Sequence, residues 1–355
     1  MRGFASVCLL ACVRGAVSFD QTFAWSSSPV VENRSLDEIH QAALKEGGTV
    51  TLWHGGSKPD QQDQLKNAFE ERFPGMTLNI TVKSSSYLGP ELDRQLATGS
   101  LYVDNIMLQT AQDYPRWRDH GVLFHYKPSG YDQVYRPFKD IDGAWVASRV
   151  NAWSILYNKD KLKDINPPTT FLDFMRPEFK NKIVLAFPNE DDAVLHTFDL
   201  IMKEHGLEYF DKLLQQNPKW VVGADAPAAE IGKSNSTFAV SFTTTIGLFS
   251  QDPLMVVFPT EGAYFTSWSQ RAAIFADAPH PESAKLLQSY IISEEYQNQT
   301  GSWSIRRDVA APDGYSGIFD MPNTDPTHFV DWMMDRERVE RLRFWFQDKL
   351  GYPKH

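Results

Sequence analysis

The sequence is nearly free of cysteine. Only Cys8 and Cys12 occur among its 355 residues, and both lie at the amino terminus. The first 18 residues contain an early arginine, an apolar stretch and a small-x-small pattern, which together predict a signal peptide over residues 1–18. Its removal would leave no cysteine, and therefore no disulfide or thiol chemistry. The alternative is a bacterial lipoprotein box at residues 9–12, which would make Cys12 a lipid anchor.

Positive charge is also scarce. The formal net charge is −10, and lysine and arginine form no long run, which argues against nucleic acid and anionic membrane surfaces as partners. The amino-terminal apolar stretch is too short to span a bilayer, so we expect no direct membrane insertion. We expect a secreted protein, or a periplasmic one in a bacterium. Four Asn-x-Ser/Thr sites favour a glycoprotein from a eukaryotic secretory route; they lie at Asn33, Asn79, Asn235 and Asn298.

Catalytic motifs are missing as well. The chain has no Gly-x-Ser-x-Gly elbow, no His-Glu-x-x-His and no phosphate-cradling glycine loop, and its histidines are scattered. These absences favour a non-enzymatic protein without a cofactor or a bound metal. Two other classes stay open: a hydrolase built on His54 with Asp and Ser partners, and a secreted interaction protein that has lost small-molecule binding.

Strands and helices alternate along the first third of the chain. Apolar strands are predicted at residues 49–53, 76–82 and 105–108, with helices between them. This order predicts an α/β fold whose sheets are mainly parallel and flanked by helices. Ligands collect at the carboxyl ends of such strands. We therefore expect a binding cleft at the polar residues that follow the strands: His54, residues 84–86, Gln109 and Thr110.

The rest of the chain continues this alternation of strands and helices, without a linker or an internal repeat. Strands are predicted at residues 150–157, 182–186, 238–242 and 254–258, and antiparallel strands within 262–276. Residues 326–350 read as one long amphipathic helix that packs on a lobe. Because no linker separates two lobes, strands should cross between them. We predict lobe 1 over 19–109 plus about 256–310, and lobe 2 over about 110–255 plus 311–355.

Several segments resemble the extracellular solute-binding proteins that feed bacterial transporters, in the class around the ferric-iron-binding proteins. The resemblance rests on residues 51–58, 92–99 with Asp104, 154–162 (SILYNKDKL), 177–183, 259–262 and 276–297. It implies a two-lobed periplasmic-binding-protein-like fold, with lobes joined by crossing hinge strands that close on a ligand. It also implies a small-molecule ligand, a membrane transporter or receptor as partner, and a monomer.

The same resemblance makes the iron site of this class testable. Iron-binding members hold the metal with a histidine, a glutamate and two adjacent tyrosines. Matching the segments places these ligands on Ser57, Gln109, Thr244 and Thr245, and the chain contains no Tyr-Tyr pair. Iron binding by this mode is therefore not expected, and ferric iron bound without tyrosines remains an alternative.

What remains is a cleft of neutral polar groups and aromatic rings, which suits a small polar organic ligand that is zwitterionic, amine-bearing or phosphorylated. Asp191 either caps its own helix or receives a cationic ligand group. Trp53 and Trp268 line either the cleft or the core, and Gly55 and Gly56 leave room for a ligand near the backbone. The expected ligand-binding residues are His54, Gly55, Ser57, Ser84, Ser85, Ser86, Gln109, Asp191, Thr244, Thr245 and Trp268.

Overall fold

The computed structural model describes residues 28–353. The predicted signal peptide and both cysteines lie outside this range. Helices within it are α1 Leu36–Glu46, α2 Asp63–Arg72, α3 Ser85–Thr98, α4 Asp113–Asp119, α5 Asp192–His205, α6 Glu208–Gln215, α7 Ala226–Gly232, α8 Pro281–Ile292, α9 Glu294–Gln299, α10 His328–Met334 and α11 Arg336–Leu350. Strands are β1 Val30–Val31, β2 Thr49–Gly55, β3 Thr77–Lys83, β4 Asn105–Leu108, β5 Tyr126–Lys127, β6 Val146–Ala152, β7 Ser154–Asn158, β8 Val184–Ala186, β9 Lys219–Val221, β10 Val240–Thr244, β11 Leu254–Val257 and β12 Ser267–Ile274.

The larger sheet has five strands in the order β3-β2-β4-β12-β6. Strands β2, β3 and β4 are parallel, whereas β12 is antiparallel to both of its neighbours. Four of its five strands therefore run in one direction. Helix α1, which packs against α8 beside this sheet, begins at a capping box formed by Ser35 and Glu38 and ends at the left-handed Gly47.

The second lobe is built around the three-stranded sheet β10-β7-β11 and the parallel pair β8-β9. A parallel bridge between Ile183 and Val240 joins the pair to the three-stranded sheet. Strand β7 runs antiparallel to both of its neighbours. Each lobe therefore carries helices on a mostly parallel sheet with one reversed strand, and this architecture confirms the predicted fold class.

Two chain segments pass between the sheets. The first crosses at Trp153, which lies between β6 of one sheet and β7 of the other. The predicted single strand over 150–157 is thus wrong: the Trp153 amide leaves the β6–β12 ladder and donates to Thr266 O at 2.9 Å. Residues 258–266 form the second crossing, between β11 and β12. The two crossings are therefore hydrogen-bonded to each other where the lobes meet.

Sheet membership bears on the predicted lobe boundaries. Strand β6 falls in the range predicted for lobe 2, yet it pairs with β12 in the five-stranded sheet. A boundary near residue 152 follows the strand pairing more closely than one after residue 109. We propose that the boundary between the lobes lies at the first crossing.

Two further elements differ from their predictions. Residues 326–350 form two helices, because Asp335 leaves the helical conformation and its side chain accepts from Arg338 N at 3.2 Å, which starts α11 anew. Within 262–276 there is one strand, β12. The Phe265 amide donates to Asn323 O of the tail rather than to a hairpin partner, so no second strand forms there.

Candidate ligand-binding site between the sheets

A cavity of about 730 Å³ lies between the two lobes. Its wall includes the carboxyl ends of β2 and β3, one face of β6 and β12, and loops that precede helices α5 and α7 of the second lobe. The lining residues are His54, Gly55, Gly56, Ser57, Pro59, Gln61, Gln62, Val82, Lys83, Ser84, Ser85, Ser86, Tyr87, Gln109, Arg149, Asn151, Trp153, Ala186, Phe187, Glu190, Asp191, Val222, Gly223, Ala224, Thr245, Trp268 and Gln270.

Ten of the eleven residues expected to bind ligand lie in this wall. Thr244 is the exception: it is 0% exposed within β10, opposite Ser154 of β7. Side chains alternate along a strand, so the neighbouring Thr245 can face the cavity where Thr244 faces the interior. Thr245 also stabilises a local turn, because its hydroxyl oxygen accepts from Gly247 N at 3.0 Å.

His54 ends β2 and is 3% exposed. Its Nδ1 lies 2.7 Å from Gly55 O. Since a carbonyl can only accept, Nδ1 carries the proton and Nε2 keeps a lone pair. Burial, reinforced by the positive charge of Arg149, lowers the pKa of His54 to about 3. The imidazole is therefore a neutral hydrogen-bond acceptor at physiological pH.

Gly55 and Gly56 lie close to protein side chains as well as to the cavity. A Cβ on Gly55 would lie 2.0 Å from Ser85 Oγ, and a Cβ on Gly56 would lie 2.4 Å from Gln61 Oε1. Both glycines line the cavity and also make room for protein side chains. The close approach lets Ser85 Oγ accept from Gln109 N at 3.0 Å, which ties the start of α3 to the end of β4.

Residues 84–86 begin α3 beside the cavity. Ser84 occupies the cap position but makes no side-chain cap bond, and Ser84 and Ser86 are partly exposed. Ser57, in the loop after β2, is exposed and its amide donates to Gln61 Oε1 at 2.8 Å. These hydroxyls are therefore accessible donors and acceptors on one side of the cavity.

Asp191 lies on the opposite side and caps its own helix. One carboxylate oxygen accepts from Ala193 N at 2.8 Å and from Val194 N at 3.2 Å. Burial raises the pKa of Asp191 to about 6; the cap bonds and a hydrogen bond from the Gln109 side chain partly oppose this shift. Of the two roles predicted for Asp191, the cap is present in the structure.

The cavity floor is a cross-strand face of β6 and β12. Arg149 pairs with Gln270 and Asn151 with Trp268, and all four side chains line the cavity. Gln270 organises this face: its amide donates to Met107 O at 3.1 Å, and its oxygen accepts from Trp268 Nε1 at 3.3 Å.

Two tryptophans meet at the first crossing. Trp268 packs edge-to-face against Trp153, with ring centroids 5.0 Å apart. Both also belong to the main hydrophobic core, so they serve the cavity wall and the core together. Trp53 faces the other way and packs edge-to-face on Tyr102, within a separate core cluster.

The sequence did not predict three of the four residues of this floor, Arg149, Asn151 and Gln270, nor the adjacent Trp153. The available signal in the sequence was a charged residue inside a mostly apolar segment. In the structure, Arg149 follows a run of buried residues from 143 to 148 and is itself exposed. Its direction could not be read from the sequence. A register shift between Gln270 and Arg271 decides which β12 side chains share its face.

The lobes touch across the cavity mouth. Lys58, after β2, forms an ion pair with Asp225, before α7, at 2.5 Å. A Cβ on Gly223 would lie 3.3 Å from Ser57 Cβ, so the same two loops are in close contact. The cavity is thus covered by loops from both lobes.

Between residues 28 and 353 no three His, Cys, Asp or Glu side chains are grouped as metal ligands. No helix in that range is both long and apolar enough to cross a membrane.

Two α/β lobes with paired crossings and a polar cavity between them define a ligand-binding protein of the two-lobed periplasmic type. The sequence model for bacterial extracellular solute-binding proteins matches residues 105–302, more than half of the chain. The chain belongs to this family, which confirms the resemblance. It is therefore a solute-binding protein.

Solved structures share the fold at low identity. The substrate-binding protein of an ABC transporter from Agrobacterium tumefaciens is 12% identical, with a TM-score of 0.72 over 87% of this chain and 96% of that one. AfuA from Actinobacillus pleuropneumoniae, with fructose-6-phosphate bound, is 16% identical, with a TM-score of 0.65 over 85% and 99%. Iron-bound HitA from Pseudomonas aeruginosa is 15% identical, with a TM-score of 0.60 over 84% and 99%.

Proposed function

We propose that this chain is a secreted, non-enzymatic binding protein that captures a small polar organic molecule between its lobes and closes over it by hinge motion. The observation that carries the proposal is the cavity of about 730 Å³ with a wall of hydroxyl, amide, imidazole and indole groups. Its size falls within the range of about 300–1,000 Å³ typical of small-molecule sites.

The geometry around His54 supports binding rather than catalysis. A general base works best with a pKa near the operating pH, whereas burial lowers the pKa of His54 to about 3. Its Nδ1 bonds to the Gly55 carbonyl, not to a carboxylate. Among the described residues no hydrogen-bonded Ser–His–Asp chain passes through His54.

The crossings support hinge closure. Each lobe has its own sheet, and the two connecting segments meet at the hydrogen bond from Trp153 N to Thr266 O. Rotation about these two adjacent segments would open the mouth by separating Lys58 from Asp225. A transporter or receptor would then distinguish the open from the closed form.

A thermal-unfolding screen tests the proposal. The full chain is heated with organic acids and sugar phosphates, with amines and amino acids, with neutral sugars, and with ferric citrate. We expect at least one organic compound to stabilise it, by about 2.7 kcal/mol at 100 times its dissociation constant. The compound should be recovered unchanged after incubation.

Two results would contradict the proposal. Stabilisation by ferric citrate alone, with no response to citrate, would favour iron held without tyrosines; HitA was solved with iron bound. Conversion of a compound to product, lost in His54→Ala, would favour a hydrolase on the same fold.

A further inference from the structure

The cavity wall carries two positive and two negative side chains, and one of the positive ones has no protein partner among the described residues. Four lining side chains are formally charged: Lys83, Arg149, Glu190 and Asp191. Asp191 is occupied as the cap of α5, and Glu190 has interactions of its own within the protein. Lys83 is exposed at the end of β3. Within residues 28–353 the Arg149 guanidinium has neither an ion pair nor a hydrogen bond.

Arg149 is also held by a rigid floor. It lies on β6 directly opposite Gln270 of β12, and the Gln270 amide is fixed by Met107 O of the next strand. Arg149 is exposed within the cavity, and partial desolvation by the surrounding protein lowers the pKa of its guanidinium. It nevertheless stays protonated, because an arginine side chain does not lose its proton in a protein.

A ligand that displaces the water around Arg149 must supply an anionic partner, since a charge removed from water is unfavourable without one. Arginine presents a planar fork of N–H donors that matches carboxylate and phosphate oxygens. The neighbouring His54 is neutral and adds no second positive charge. The structure therefore contains a fixed donor group, together with a neutral acceptor at His54 Nε2, and, among the described residues, no protein anion that satisfies the guanidinium.

We infer that the bound solute is a small organic anion whose carboxylate or phosphate group pairs with Arg149, while a hydroxyl or N–H group of the same molecule donates to His54 Nε2. The inference rests on the proposed function and narrows it from polar molecules in general to organic anions.

Matched pairs of compounds provide the test. The full chain is titrated by calorimetry with fructose 6-phosphate and fructose, nicotinate and nicotinamide, and benzoate and benzamide, so that phosphate and carboxylate anions are each compared with a neutral counterpart. We expect at least one anion to bind about 30-fold or more tightly than its counterpart, the ratio that corresponds to a desolvated charge pair.

Substitutions of Arg149 test whether this residue causes the preference for anions over their neutral counterparts. Arg149→Gln should remove it, and Arg149→Lys should keep part of it, since lysine supplies charge without the fork. Arg94→Gln is the matched control, because Arg94 is an exposed, ion-paired residue outside the cavity wall and its loss changes net charge equally. The control should bind as the wild type does.

Ligand-free stability gives a second readout. Arg149→Met should not lower the urea midpoint of unfolding, because Arg149 has no ion pair or hydrogen bond with the described residues to lose; a structural arginine would lower it. Equal binding of anions and neutral counterparts, or an anion preference that survives in Arg149→Gln, would overturn the inference but leave the proposed function standing. If the wild type binds none of the six compounds and the wider screen also finds no organic ligand, the proposed function fails and this inference fails with it.

Discussion

At the scale of single residues, His54 is defined by its burial. Its Nδ1–H donates to the Gly55 carbonyl, and desolvation together with the charge of Arg149 keeps the ring neutral. The same burial makes His54 a source of pH-dependent stability, because the unfolded chain binds a proton there that the folded chain excludes.

We predict that His54→Gln weakens the dependence of stability on pH. The wild-type free energy of unfolding should fall as pH drops from about 6.5 towards about 3, since only the unfolded state gains the proton in this window. The difference between wild type and variant should change by about 1.4 kcal/mol per pH unit there. Urea unfolding at several pH values measures it. His120→Gln, at an exposed position, is the control, and equal slopes in all three proteins would contradict the account.

Asp191 should make the free energy of unfolding depend on pH in the opposite direction. Its pKa is raised to about 6 in the folded protein, so the folded state holds the proton longer and the wild type loses stability as pH rises from about 4 to 6. Asp191→Asn keeps an N-cap acceptor but does not titrate. Its stability relative to wild type should therefore increase with pH across this window. Asp191→Ala, which also loses the cap, should be destabilised by about 1 kcal/mol more than Asp191→Asn at every pH. A pH-independent difference between Asp191→Asn and wild type would refute the shift.

Secondary-structure elements follow the sequence where the signal is local. The capping box at Ser35, the left-handed Gly47 and the proline at the start of α8 fix helix ends from neighbouring residues. The ends of β2 and β4 also place His54 and Gln109 correctly at one edge of a sheet, because parallel strands share their carboxyl side.

Other elements depend on partners that the sequence does not reveal. The single strand predicted over 150–157 divides at Trp153, because its amide bonds to Thr266, more than a hundred residues away. Which β12 side chains lie beside Arg149 on the cavity face depends on the register between β6 and β12. Thr244 was predicted to contact the ligand but faces the interior, for a related reason. Side chains alternate between the two faces of a strand, and only the packing of the lobes decides which face meets the cavity.

The tail helix α11 offers an element-scale prediction. Phe346 is 0% exposed, and its ring centroid lies 5.0 Å from that of Phe210 and 5.2 Å from that of Phe198. Phe346→Ala should cost about 3–5 kcal/mol of unfolding free energy. Phe344, two residues earlier, is 63% exposed, so Phe344→Ala should change it by about 0.5 kcal/mol or less. Urea unfolding measures both. Similar losses in the two variants would show that α11 is not packed on the second lobe as described.

At the scale of the whole molecule, the lobes are joined by the two hydrogen-bonded crossings and by the segment between α9 and α10, and they meet again at the cavity mouth. Lys58 and Asp225 form the ion pair there, and both side chains are partly exposed. Such pairs contribute about 0.2–1 kcal/mol, and salt weakens them. This amount is small for stability but shifts the balance between open and closed forms several-fold.

We predict that Lys58→Gln increases the open population. The radius of gyration from small-angle scattering should rise, and amide exchange should accelerate in residues 55–62 and 222–227. Lys58→Gln and Asp225→Asn should not add, because each removes the same pair. Lys66→Gln breaks a pair within α2 of the first lobe and is the control. Faster amide exchange in the control, or unchanged exchange in Lys58→Gln, would show that the Lys58–Asp225 pair does not stabilise the closed form.

The central claim is that one organic solute binds inside the cavity between the lobes. Calorimetric titration with the most stabilising compound from the thermal screen tests it most directly, in wild type, Ser86→Trp and Leu207→Trp. Ser86 lines the cavity, whereas Leu207 lies in a separate surface groove. We expect one site per chain, lost in Ser86→Trp although that variant stays folded, and unchanged in Leu207→Trp. Binding that survives in Ser86→Trp but disappears in Leu207→Trp would place the solute outside the cavity and contradict the account.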